Sequence, residues 1–305
     1  MVNEKTNKMN SKGKNRFQKM TLVLLGLILG LSVIVTVGST PAQAATTKAS
    51  TSKTSSAASQ TLYSWSKGKT VSILGASIST FDGYGVPGYE MWYPANSKTI
   101  KKVSQTWWMQ VINQTGMKLG TNASYSGSPV SGKLNDETGF YYISNTRVMS
   151  LCVTDPKTGL AVAPDLIIVK GGTNDMFLGR SLGEYWPGKK LMNTTETDIF
   201  TDAYDYLLTI LQKVYPTSKI LCLTCTQVYD PDKNYQEYVN DHKNTINDYD
   251  EMIIAIANAH NIPVIDTRNA GLTVSETEDG THPNAKGATK LANYIVSQMK
   301  KIQVK

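Results

Sequence analysis

The chain has 305 residues, 40% hydrophobic and 18% charged, which suits a globular protein of one large domain or two small ones. Its formal net charge is +7, but the six cations from Lys5 to Lys19 put most of that in the first 44 residues. The remainder has no basic block of the kind nucleic-acid binding needs, so no nucleic-acid partner is expected.

The basic N-terminus is followed by residues 21–38, TLVLLGLILGLSVIVTVG, which carry no charge, and then by PAQAA, with Ala42 and Ala44 placed as the small residues a signal peptidase requires. Residues 1–44 are expected to be a signal peptide, or an uncleaved membrane anchor, since the apolar run is at the lower limit for spanning a bilayer. Either way the body is expected to be exported, secreted or held at the cell surface, and to touch a membrane only through this segment if uncleaved. The long basic leader points to a Gram-positive bacterium. Residues 45–60, rich in Ser, Thr and Ala, read as a flexible linker. The folded domain is expected over 61–305.

Within it, apolar runs alternate with amphipathic segments. TVSILG (70–75) predicts a strand, and SQTWWMQVINQTG (104–116) a helix capped by Ser104. MKLGTNAS predicts a second strand. DLIIVKGG (165–172) predicts a third, uniformly apolar and so buried on both faces. A helix over 198–216 stops near Pro216, KILCLTC forms a fourth strand, NDYDEMIIAIANAHN lies in a helix, IPVIDT (262–267) is a fifth strand, and NAKGATKLANYIVSQMKKI closes the chain as a helix. This rhythm predicts a parallel sheet with helices on both faces, whose site lies at the carboxyl ends of the strands.

The residues beyond those ends fit acyl transfer. Ser77 follows the first strand after Gly75, Asn122 and Gly127 follow the second, Asn174 and Asp175 the third, and Asp279 and His282 the fifth. A serine hydroxyl needs a base, which His282 supplies, and the histidine needs a carboxylate on its other nitrogen, which Asp279 supplies. The N–H groups of Ser77 and Gly127 with the amide of Asn174 can form an oxyanion hole. The three cysteines, Cys152, Cys222 and Cys225, are an odd number and argue against a disulfide framework. Cys222 and Cys225, three apart on a strand, are expected on opposite faces and in the core. His260 reads as a helix C-terminus and His242 as a surface residue. With three histidines and no HExxH or Cys/His cluster, neither metal nor cofactor is expected.

The blocks GASIS, NASYSG, GGTND and DGTHP, in that order, resemble those of the SGNH (GDSL-like) hydrolase family, over residues 70 to 302. The resemblance implies a flavodoxin-like three-layer α/β/α sandwich with about five parallel strands. It implies Ser77 as nucleophile, Gly127 and Asn174 as oxyanion donors, and His282 and Asp279 as the rest of a triad. The first block departs from the family pattern: Ala76 stands where that pattern has Asp, which bears on how the turn is braced.

Two inserts carry aromatic residues, Tyr84, Tyr89, Trp92 and Tyr93 in 81–94 and Tyr185 and Trp186 in 179–190. Aromatic faces suit sugar rings, so these six are candidate substrate contacts, and the leading expectation is a carbohydrate O-acetyl esterase acting on an acylated small molecule or glycan. A lipid or small-ester esterase, an acyltransferase with the same triad, and a non-catalytic glycan-binding module remain alternatives. The segment 135–164 is longer than its connection requires and reads as a lid or a helical crossover turning at DPKTG.

Overall fold

The computed structural model describes residues 60–190 and 195–304. The leader expected over 1–44, and all of the expected linker except Gln60, lie outside the described residues. No helix among the described residues is long and apolar enough to cross a membrane.

The central sheet has five strands: β1 (Thr70–Gly75), β2 (Lys118–Asn122), β3 (Leu166–Lys170), β4 (Lys219–Leu223) and β5 (Val264–Ile265). Their order across the sheet is β5-β4-β3-β1-β2, and every pairing is parallel. That is the flavodoxin-like order, with a switch point between β1 and β3 where the chain leaves in opposite directions and opens a crevice.

β3 lies between two strands and is buried along its whole length, so Leu166 to Val169 are apolar on both faces, while the buried Lys170 at its end donates to Thr224 O (2.8 Å). Leu166 and Ile168 pack on one side with Trp107, Trp108 and Val111 of α1 (Trp107–Thr115) and Leu291 and Ile295 of α4 (Ala285–Met299). Ile167 and Val169 pack on the other with Leu207 and Leu211 of α2 (Phe200–Val214) and Ile253 and Ile256 of α3 (Ile246–Ala259). The result is a three-layer α/β/α sandwich. Each large apolar side chain so buried contributes on the order of 1.5–3 kcal/mol.

Element ends differ from the sequence expectation for identifiable reasons. Ser104 does not cap α1, because residues 103–105 form a separate 3₁₀ turn and the Thr106 side chain accepts from the N–H of Met109 (3.3 Å) instead. Cys222 and Cys225 are not on opposite faces: β4 ends at Leu223, and beyond it the chain bends so that both thiols pack in the α2/α3-side core. Both are buried and free, and burial pushes each thiol up to about 12.

The 135–164 segment is a crossover packed onto the domain. It holds a short helix (Asn145–Met149) and a two-stranded hairpin, Val153–Thr154 with Ala161–Val162, around the DPKTG turn. Tyr142, Ile143, Val148 and Leu151 sink from it into the α2/α3-side core.

Candidate active site

Gly75 ends β1 because nothing larger fits there: a Cβ would come within 2.6 Å of Ser79 Cβ and 2.7 Å of Ser124 Oγ. The chain then makes one 3₁₀ turn, Ser77–Ser79, held by the bonds Ser79 N–H to Ala76 O (2.8 Å) and Thr80 N–H to Ser77 O (3.1 Å). Ser79, which the sequence suggests as a helix start, closes this turn and is buried. Ala76 provides no side-chain cap. The turn is braced from neighbouring segments instead. Asn122, at the end of β2, donates to Ser79 O (2.8 Å), and Arg147 donates to Gly75 O (2.5 Å).

His282 stands on a narrow loop before α4. The loop is pinched shut by the bond from Glu278 N–H to His282 O (2.7 Å). At its tip Gly280 has φ +89°, and a Cβ there would meet Tyr229 O at 2.5 Å, so only glycine lets the loop pass. Asn284 then caps α4 by accepting from Gly287 N–H (3.1 Å), which leaves Pro283 just ahead of the helix.

These two segments bring Ser77 Oγ to 2.8 Å from His282 Nε2. His282 Nδ1 lies 2.7 Å from Asp279 Oδ2, while Asp279 Oδ1 accepts from the N–H groups of Thr281 (3.0 Å) and His282 (2.8 Å). Partial burial pushes the Asp279 carboxyl up, but the bond and charge of His282 with these N–H donors outweigh it and hold it below the ordinary carboxylate range. A carboxylate held ionised fixes Nδ1 as the protonated nitrogen, which leaves Nε2 free to take the Ser77 proton.

Asn174 is the second residue of the short helix Thr173–Phe177 after β3, across the switch point from Ser77. One hydrogen of its amide is fixed by donation to Ser128 O (3.0 Å), which leaves the second available to an incoming anion. Behind it Asp175 is fully buried and accepts from Val130 N–H (2.8 Å), Ser131 N–H (2.9 Å) and Ser131 Oγ (2.7 Å), locking this helix to the loop that holds Gly127. Burial pushes the Asp175 carboxyl up to about 6 against those donors. The N–H groups of Ser77 and Gly127 make no hydrogen bond among the described residues. The arrangement therefore offers a hydroxyl, a base oriented by a carboxylate, and polar N–H donors on both sides of the crevice.

The six aromatic candidates do not form one surface. Tyr93 is a correction: it is 2% exposed, and its hydroxyl donates to Pro283 O (2.7 Å), so it supports the His282 loop from inside and has no face free for a sugar. Trp92 stacks on the imidazole of His282, with ring centroids 3.9 Å apart and planes 8° from parallel. Tyr89 is half-buried, stacked on Tyr125 at 4.7 Å and covered by the Arg147 guanidinium. Tyr84 is exposed and leans on Trp108 of α1. Tyr185 packs on the α2/α3-side core. Trp186 is exposed beneath the Lys189 ammonium, which pairs with Asp202 of α2.

His260 caps α3 and pairs with Asp205 of α2 (2.7 Å), while His242 is exposed and its Nε2 lies 3.0 Å from Gly179 O. Arg147, Asn122 and Asp175 shape the site without having been assigned a part in it from sequence. The one signal for Arg147 is a charge set among the apolar residues of RVMSL.

With that geometry in hand, the family model described as GDSL-like lipase/acylhydrolase matches residues 69–299, and the chain belongs to that family. It is a hydrolase of the SGNH/GDSL esterase type. Among solved structures, a protein named as a GDSL-like lipase from Bacteroides ovatus ATCC 8483 is similar at 28% identity and TM-score 0.58, covering 77% of this chain and 99% of that one. One from Bacteroides uniformis ATCC 8492 is similar at 28% identity and TM-score 0.58, covering 80% and 100%. A Lactobacillus plantarum protein at 20% identity and TM-score 0.56, covering 78% and 99%, shares the fold. No curated protein matches the sequence.

The His282 loop gives a prediction of its own. Glu276, buried just ahead of it, accepts from Lys290 Nζ (2.8 Å) of α4 and from Thr273 N–H (3.0 Å), and these donors hold its carboxyl down at about 2. The folded value lies below the unfolded one, so the stabilisation is complete above the ordinary glutamate range and is lost as pH falls toward 2. Glu276→Gln is expected to cost roughly 1–3 kcal/mol at pH 7. The gap to wild type is expected to shrink steadily as urea melts are repeated toward pH 2. A gap independent of pH would refute the assignment.

Proposed function

We propose that this protein is an exported serine esterase that removes small acyl groups, acetate first among them, from carbohydrate of the cell wall or extracellular polysaccharide. Ser77 attacks the ester carbonyl, His282 takes its proton and returns it to the leaving alcohol, and Asp279 orients the imidazole. The N–H groups of Ser77 and Gly127 with the Asn174 amide receive the oxyanion. Water then hydrolyses the acyl-enzyme through the same groups.

The observation that carries the hydrolytic reading is the continuous bonding from Ser77 Oγ through His282 to Asp279. The unbroken set of polar groups also weighs against a binding module that has lost its chemistry, despite Ala76. A small acyl group is supported by the narrowness of the cavity at Ser77, about 20 Å³ and lined by Ala76, Lys170, Gly172 and Asn174. A sugar alcohol is supported more weakly, by the exposed Tyr84 and Trp186. Export rests on the sequence of residues 1–44 alone.

The test is a series of p-nitrophenyl acetate, butyrate and octanoate, with acetate release from acetylated xylan and peptidoglycan. The acetyl ester is expected to be cleaved fastest, with a fall of about tenfold or more by octanoate, since each misfitting methylene is costly. At least one acetylated glycan is expected to release acetate. Octanoate cleaved faster than acetate, with no acetate from any glycan, would favour a lipid-type esterase and overturn the substrate assignment.

A further inference from the structure

Arg147 is fully buried, and none of the ion pairs among the described residues involves it. A buried guanidinium without a carboxylate is costly, and its Nε has no hydrogen-bond partner among the described residues, so the compensation falls to Nη1 and Nη2. Its Nη2 donates to Gly75 O (2.5 Å), at the end of β1 and two residues before Ser77, and to Ser128 Oγ (3.3 Å). Ser128 follows Gly127, and its carbonyl is the acceptor that fixes the Asn174 amide. Nη1 donates to Gly139 O (2.7 Å), anchoring the guanidinium in the crossover. The guanidinium also lies 4.9 Å from the ring centroid of Tyr142, whose hydroxyl donates to Lys170 O (2.9 Å) at the end of β3. One side chain thus meets the nucleophile turn and the oxyanion loop directly, and the third block through Tyr142.

We propose that Arg147 is a positioning residue for the reaction: it holds the Ser77 turn and the Gly127–Ser128 loop at the separation at which hydroxyl and oxyanion donors act on one carbonyl. The proposal rests on the serine-esterase reading above. Ala76 offers the turn no polar side chain of its own, and the bracing comes from Arg147 together with Asn122, which donates to Ser79 O (2.8 Å). Lysine cannot replace it, since one ammonium cannot span Gly75 O, Ser128 Oγ and Gly139 O in the planar fork that the guanidinium provides.

The experiment measures kcat and KM for p-nitrophenyl acetate in wild type, Ser77→Ala, Arg147→Lys, Arg147→Ala and Ser128→Ala, with circular dichroism on each. Arg147→Lys and Arg147→Ala are expected to lose about 10–100-fold in kcat with KM nearly unchanged, because misplacement of reacting groups by about an ångström costs that much. Millimolar guanidinium chloride is expected to restore several-fold of the loss in Arg147→Ala, and sodium chloride at equal ionic strength none. A merely structural arginine would lower thermal stability without a rescuable loss confined to kcat.

Should Arg147→Ala fail to fold, Arg147→Lys carries the test, with Ser128→Ala beside it, which removes both this anchor and the bond from Ser128 Oγ to Tyr125 O (2.7 Å); a several-fold loss confined to kcat is expected in the latter. Wild-type kcat in Arg147→Lys and in Ser128→Ala, beside an inactive Ser77→Ala, would overturn this proposal alone. A wild-type rate in Ser77→Ala would overturn the nucleophile assignment, and this proposal with it.

Discussion

Ser77→Ala is expected to lower kcat for p-nitrophenyl acetate by about 10⁴–10⁶-fold while leaving KM nearly unchanged. The hydroxyl of Ser77 meets His282 Nε2 at 2.8 Å, and alanine can neither form an ester with the acyl group nor use the base. The turn itself does not depend on that hydroxyl. Its bonds run between backbone groups and through Thr80 Oγ1, which donates to Ser77 O (2.8 Å), so the N–H of residue 77 is expected to stay where it is. The folded state is therefore expected to survive unchanged. Binding and the oxyanion donors alone should still leave roughly 10³-fold over the uncatalysed rate. Kinetics with the purified variant, paired with mass spectrometry after a fluorophosphonate, checks both sides: wild type gains one adduct and the variant none. Activity within tenfold of wild type, or labelling at another residue in the variant, would sink the nucleophile assignment.

The parts legible in the sequence are those where local chemistry and tertiary position coincide. DLIIVK can only be a central strand, because an unbroken apolar run with so little polar relief must be covered on both faces, and β3 is. The GASIS and DGTHP blocks are legible because the steric demands at Gly75 and Gly280 are written as glycine beside the reactive side chains. Arg147 is illegible for the opposite reason. A lone arginine in a long connection reads as surface, and its partners Gly75, Ser128 and Gly139 are 72, 19 and 8 positions away in sequence.

The aromatic inserts mislead in another way. An insert must bury something to hold its shape, and Tyr93 and Tyr89 serve that need before they can serve a ligand. Composition reports that aromatic faces exist. It does not report that the one on Trp92 is covered by the imidazole of His282. The same limit applies to the turn at Ser77. Ala76 marks an absent brace in the sequence, while the braces present, Asn122 and Arg147, emerge only when β2 and the crossover are packed beside β1.

Asp279→Asn is expected to lower kcat by about 10³–10⁴-fold with KM held. The change is nearly isosteric, and an asparagine oxygen can go on accepting from the N–H groups of Thr281 and His282, so the loop keeps its shape. The difference falls on the other atom. Where Oδ2 accepts from His282 Nδ1 at 2.7 Å, the amide presents N–H donors. The imidazole must then turn its lone pair to Nδ1 and carry its proton on Nε2, facing Ser77 with a donor where the reaction needs an acceptor. Glu278 is the adjacent acid, but its Oε1 is taken up by Ser97 Oγ (2.6 Å) and Thr99 Oγ1 (2.8 Å). The ¹⁵N shifts of His282 read the tautomer directly, so protonated Nδ1 in wild type and protonated Nε2 in the variant are the expected pair. A variant that retains kcat within tenfold, with Nδ1 still protonated, would show that the histidine is oriented by something other than Asp279. A variant that loses kcat with the wild-type tautomer would place the contribution of Asp279 in the charge it sets against the imidazolium formed as Ser77 attacks.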